Sequence, residues 1–195
     1  MTKSANTQYP ILPAISERWS PRSFSKQMPE KETLMRLFEA ARWAASSGNR
    51  QPWFFIVATK DNPELYEKLF STLRPKNQLF ADSAPVLVMA VMYTLRNGDK
   101  YNLWAPYDLG QAVSNLATQA TAEGLFVHQM AGFDREMATN LFHLPEGYEP
   151  MTVMTIGYLG EPEALEGDFY EREVAPRERR DFAEFVFNGD WGKVF

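Results

Sequence analysis

Apolar positions along the chain follow two different periods. Leu34, Leu37, Phe38 and Ala41 recur at i, i+3, i+4 and i+7, one face of a helix. Pro29 suits a first helical position, so the helix is expected from about Glu30 to Ala45. Trp53 to Ala58 is instead a short run of aromatic and β-branched residues, which fits a pleated strand. Asn62-Pro63 pairs a capping side chain with a proline at N1 and predicts a short helix through Leu69 or Phe70. Residues 74 to 84, RPKNQLFADSA, show neither period and read as a loop. Pro85 to Tyr93 (PVLVMAVMY) is apolar almost throughout, the pattern of a central strand buried on both faces.

From Pro106 a longer helix carries Leu109, Ala112, Val113, Leu116, Ala117 and Ala120 on one face, with Gly124 placed as a C-cap. Its small residues, Gly110, Ala112, Ser114, Ala117 and Ala120, allow close packing against another helix, including one from a second subunit. Leu125 to Met130 is short and apolar, Asp134 caps a helix to about His143, and Pro150 to Tyr158 reads as a further strand. After Gly160 the character changes. Residues 161 to 173 carry six carboxylates and little to bury, Arg177, Arg179 and Arg180 follow, and Phe182 to Phe187 with Trp191 form an apolar end. A polar arm ending in an aromatic segment suggests a tail packing at a distance, on a partner subunit.

Composition narrows the class. A chain of 195 residues with 45% hydrophobic residues can bury one full core, so a single domain over 1–195 is expected. The net charge of −5 argues against a nucleic-acid binder, which would carry a basic face. Without cysteine there is neither a disulfide nor a thiolate metal site, which suits a reducing cytoplasm. The first residues, MTKSANTQYPIL, lack the apolar core of a signal peptide, and no run is long enough to span a bilayer. Both dinucleotide fingerprints are missing, as is the nucleophile elbow of an α/β-hydrolase. His128 and His143 have no HExxH context, so no metal is expected.

Two stretches carry candidate chemistry. Arg18, Ser20 and Arg22 alternate, so an extended segment points all three the same way. Two planar forks of donors around a hydroxyl make a phosphate cradle, although a solvated basic turn has the same composition. Ser46, Ser47, Gly48, Asn49, Arg50 and Gln51 form a polar loop between a helix and a strand, suited to the edge of a planar heterocycle. An ordinary helix-to-strand turn also fits that loop.

Five segments in order resemble the FMN-dependent nitroreductase family over nearly the whole chain. RWSPRSF at 18–24 is similar to its N-terminal phosphate motif, and ARWAASSGNRQPWFFIV at 41–57 to its A-R-x-A-P-S-x-x-N-x-Q-P-W-x-F signature. DLGQAVSNLATQATAEGL at 108–125 is similar to its long helix. GFD at 132–134 with LPEGYEPMTVMTIGYLGEP at 144–162 is similar to its last strand region, and RERRDF at 177–182 to its C-terminal arginine motif.

The resemblance implies an α+β fold with a central, mostly antiparallel sheet flanked by helices. It also implies an intertwined homodimer in which residues 161–195 are an arm on the partner. Arg18, Ser20 and Arg179, with Arg177 nearby and Trp19 through its backbone, would hold the FMN phosphate. Arg22 would face the pyrimidine end of the flavin near N1 and O2, where a guanidinium stabilises the negative charge of reduction. Ala45, Ser46, Ser47 and Asn49 would reach FMN from the opposite subunit. Asn77, or Lys76 or Gln78 in its place, would contact the ring, and the backbone of Met130, Ala131 and Gly132 would approach its N5 edge.

The implied reaction is ping-pong reduction of a nitroaromatic or quinone-type acceptor by NAD(P)H in the cytoplasm. Other reactions of the family (dehalogenation, azoline oxidation) and plain flavin storage are the alternatives. Ala45 stands where proline is usual and Ala131 where some members carry an acid, which leaves nicotinamide preference and substrate class open.

Overall fold

The computed structural model describes residues 3–96 and 99–195. In chain order the elements are α1 (Pro13–Ser16), α2 (Lys31–Arg42), β1 (Trp53–Thr59), α3 (Pro63–Phe70), α4 (Pro75–Ala81), β2 (Val86–Tyr93), β3 (Leu95–Arg96) and β4 (Lys100–Tyr101). They continue with α5 (Ala105–Ala122), β5 (Phe126–Met130), α6 (Arg135–Leu141), β6 (Tyr148–Gly157) and α7 (Asp168–Val174). The main sheet has the order β1-β2-β6-β5, and each neighbouring pair is antiparallel.

The apolar run of β2 has a simple cause. Val86, Val88, Ala90 and Met92 face one helical layer, in which α2 (Leu34, Leu37, Ala41) packs along α5 (Leu109, Ala112, Val113, Leu116). Leu87, Met89 and Val91 face the other layer, with Leu69 of α3, Phe80 of α4, Ala138 of α6 and Phe169 of α7. A strand covered on both sides has no solvent face on which to alternate. A bulge in β6 at Met151 shifts the register between Ala90 and Val91, next to Pro150, which cannot donate to the ladder.

Asn62 and Asp134 cap where the sequence places them, whereas Pro29 precedes the N-cap of α2, Glu30, instead of taking its first helical position. Asn62 accepts from the Leu65 N–H at 3.2 Å and Asp134 from the Met137 N–H at 2.9 Å. Two segments differ from expectation. Residues 74–84 hold a helix, α4, rather than a loop; Pro75 at N1 fixes its start, and Phe80 and Ala81 are its buried residues. Seven residues are too few to display a 3.6 period. The acidic stretch after Gly160 also buries more than its composition suggests, because α7 seats Phe169 in the core and buries Glu173. That half of the arm therefore packs on its own chain. No helix among the described residues is long and apolar enough to cross a membrane.

Candidate functional site

The site is built from a segment laid along an edge of the sheet. Ser25 donates to the Tyr158 carbonyl at 2.9 Å, Gly160 donates to that of Ser23 at 3.0 Å, and Phe24 bridges Leu159. Only glycine permits the approach at 160, where a Cβ would stand 2.8 Å from the Phe24 carbonyl atoms. The pinned segment is extended. Trp19, Pro21 and Ser23 turn inward while Arg18, Ser20 and Arg22 stay partly open, the alternation read from the sequence. Trp19 packs edge-on to Phe126 of β5 at 6.1 Å, and its indole N–H is buried without a hydrogen-bond partner among the described residues. His128, also on β5, meets the Pro21 carbonyl through Nδ1 at 2.8 Å. Burial pushes its pKa down from 6.5 to about 4, the Pro21 carbonyl opposes that shift, and Arg22 adds to it.

Arg18 opens into a cavity of about 620 Å³ shared with Arg177, Arg179 and Arg180 and floored by Ile11, Ile15 and Phe182. None of these four arginines forms an ion pair among the described residues. The pKa values of Arg18 and Arg177 are lowered first by burial, then by neighbouring arginines. Crowded guanidiniums of this kind form a field that favours an anion. Arg177 is held in place by donating through Nη1 to the carbonyls of Lys3 at 2.6 Å and Ser16 at 2.8 Å. The start of the described chain is thereby clasped to the segment at the end of α7, and Lys3 Nζ donates to the Glu173 carbonyl at 2.6 Å.

Arg22 sits on the other side of Ser20. Its guanidinium lies 5.8 Å from the Phe80 ring centre and makes no hydrogen bond among the described residues; its side chain is 20% exposed. The nearest carboxylate, Glu173, is 4.0 Å away. Burial lowers the Arg22 pKa and Glu173 partly restores it. Phe80 lies on α4, and one turn earlier Asn77 donates to the Gly132 carbonyl at 2.9 Å. A Cβ on Gly132 would stand 2.7 Å from the Asn77 amide nitrogen, so the contact requires glycine or displacement of Asn77. Met130 is buried at the end of β5, and Ala131 beside it is exposed.

The polar loop after α2 is conformationally unusual. Gly48, Asn49 and Gln51 all adopt positive φ (60°, 53° and 49°), costly for the two non-glycine residues. Buried Asp108, in the first turn of α5, holds the loop by accepting the Ser47 N–H at 3.1 and 3.2 Å. Ser46 Oγ accepts from Gln51 N–H at 3.0 Å. Ala45 and Asn49 are exposed, Ser46 and Ser47 partly so, and none of the four lines the arginine cavity of its own chain. The structure thus gathers Arg18, Arg177 and Arg179, and separately Asn77 with Gly132, and leaves 45–49 apart from the arginines. Glu173 and Asp108 were not singled out from sequence, and His128 was considered there only as a metal ligand and set aside. Asp108 alone leaves a signal there, as an acid in a first helical turn.

The model of the nitroreductase family matches residues 15–158. The chain belongs to the nitroreductase family. An uncharacterized 15.4 kDa protein of Mycolicibacterium smegmatis is 33% identical over 131 residues, which cover 65% of this nitroreductase-family chain and 86% of that protein. A protein of Archaeoglobus fulgidus provisionally named NADH dehydrogenase/NAD(P)H nitroreductase is 28% identical over 166 residues, 83% of this chain and 90% of its own. A crystal structure described as an oxidoreductase containing FMN superposes with a TM-score of 0.91 at 32% identity, covering 99% of this chain and all of that one.

Proposed function

We propose that this chain is an FMN-dependent NAD(P)H oxidoreductase, working as a cytoplasmic homodimer on nitroaromatic or quinone-type acceptors in ping-pong fashion. The observation that carries the reading is the state of Arg18 and Arg22. Two partly buried guanidiniums on one pinned segment make no hydrogen bond among the described residues. Arg18 has no ion pair there and Arg22 has only the 4.0 Å approach of Glu173, so a ligand with acceptors at both places would supply the partners that the chain does not. FMN fits that donor set. Its phosphate suits Arg18, Ser20 and Arg179, with Arg177 held behind them by the Lys3 and Ser16 carbonyls. Its ring suits Arg22, Asn77 and the turn at Met130–Gly132. Bound FMN supplies two-electron transfer from a reduced nicotinamide to the acceptor.

The residues around it bind, orient and stabilise charge, and no side-chain nucleophile is needed. Arg22 offers positive charge where reduction leaves negative charge. Ala45, Ser46, Ser47 and Asn49 serve the site of the second subunit, consistent with their place away from the arginines of their own chain. Dimerisation is supported by exposed Phe185, Trp191 and Phe195 in the tail and by the open edge of β1. An apolar groove of about 360 Å³, with Leu34, Met35, Phe38 and Val57, lies between α2 and β1. Tyr107, Gly110 and Ser114 form an uncovered face of α5. Exposed aromatic side chains and an apolar groove of this size are the kind of surface that partner subunits cover.

Heat-denaturing the purified protein is expected to release a flavin that co-elutes with FMN, and anaerobic NADH or NADPH is expected to bleach the native protein. Release of FAD, or of no flavin, overturns the reading. A yellow protein that neither nicotinamide bleaches is a flavin binder without turnover.

A further inference from the structure

The C-terminal helix places one buried carboxylate directly behind Arg22. Glu173 is 1% exposed. Its Oε1 accepts the N–H groups of Arg22 at 2.9 Å and Ser23 at 3.1 Å, and its Oε2 accepts the Arg22 N–H at 3.0 Å. The carboxylate is thus occupied by backbone amides, and the Arg22 guanidinium remains at 4.0 Å, attracted but not hydrogen-bonded. Of the other charges of α7, Asp168 pairs with Arg172 at 3.2 Å and approaches Lys76 of α4 at 3.5 Å. Glu173 is the close counter-charge.

We infer that Glu173 is a positioning residue that sets, through Arg22, how strongly the bound cofactor is electrostatically stabilised in its reduced form. Its attraction draws the guanidinium back and neutralises part of its charge. The cofactor's reduction potential is thereby held lower, which makes the reduced cofactor a stronger donor to the acceptor. This inference rests on the FMN reading above. It adds that the potential is governed from the C-terminal helix, so the seating of α7 and the electrochemistry of the site are one property.

The test uses the full-length protein loaded with FMN, with the midpoint potential measured by equilibration against a reference dye. Glu173→Gln keeps an acceptor oxygen for the two amides and removes the charge. The expected result is a positive shift on the order of tenfold in the redox equilibrium, roughly 30 mV for a two-electron couple. In an Arg22→Ala background, which leaves the Arg22 backbone amide intact, the same substitution should give at most a small remainder. Glu173→Asp, which draws the charge back without removing it, should shift the potential the same way by less, and serves if the glutamine variant does not fold. No shift in either Glu173 variant overturns the inference, as does an equal shift with and without Arg22, which would mean direct action. Failure to recover FMN from the parent protein instead overturns the flavin reading, so the two failures are distinct.

Discussion

His128 should make this fold sensitive to acid in a defined window. The imidazole is packed 4.9 Å from the Phe80 ring, against the Pro21 carbonyl and within the field of Arg22. Its pKa of about 4 lies below the value of 6.5 it would have in an unfolded chain. Between these limits the unfolded chain binds a proton that the native one refuses, so stability falls as pH drops from 6.5 toward 4 and levels off below. At ~1.36 kcal/mol per pH unit for one proton, a gap of about 2.5 units amounts to roughly 3 kcal/mol. Carboxylates titrate in the same range, so the quantity to measure is a difference. Urea unfolding of the native sequence and of His128→Asn, whose amide can still donate to Pro21, should give parallel stabilities from pH 7 to 8. Below pH 6.5 the native sequence should lose stability faster, by as much as ~1.4 kcal/mol per unit at the steepest point. Identical pH dependence in the two proteins would refute the reasoning and show that the histidine charges freely in the native state.

Two further perturbations probe the loop and the tail. Asp108→Ala removes both acceptors of the Ser47 N–H and should cost about 1–3 kcal/mol in urea unfolding while weakening FMN retention in equilibrium dialysis; unchanged values for both would show that the loop holds itself. Deleting residues 181–195 removes Phe182, Phe185 and Trp191, none of which belongs to either buried core, so circular dichroism should be preserved while light scattering reports a monomer. A dimer that persists would place the interface elsewhere.

The elements legible in the sequence are those whose burial is periodic. The face of α2 marked by Leu34, Leu37 and Ala41 and the continuous run of β2 are stamped into local composition, because each residue's burial repeats along its own element. The alternation of Arg18, Ser20 and Arg22 was legible for the same reason. α4 was not, since two buried residues in seven make no pattern. Glu173 was invisible for a different reason. Its partners are main-chain amides 150 and 151 residues away, and a backbone N–H leaves no trace in composition. It therefore read as one more acid in a polar arm.

That long separation also has a consequence in time. Ribosomes add residues at about 5–20 per second, so a gap of 151 residues opens an interval of roughly 8 to 30 s between the synthesis of Arg22 and of its buried partner. Throughout that interval the first segment has neither its carboxylate nor the arginines at 177 and 179. Nascent chains therefore have no complete arginine pocket to offer, and on the FMN reading proposed above cofactor capture would belong to the end of biogenesis. A chain ending just before residue 173 would carry every strand of the main sheet, β1, β2, β5 and β6, yet lack the buried carboxylate and the arginines that follow it.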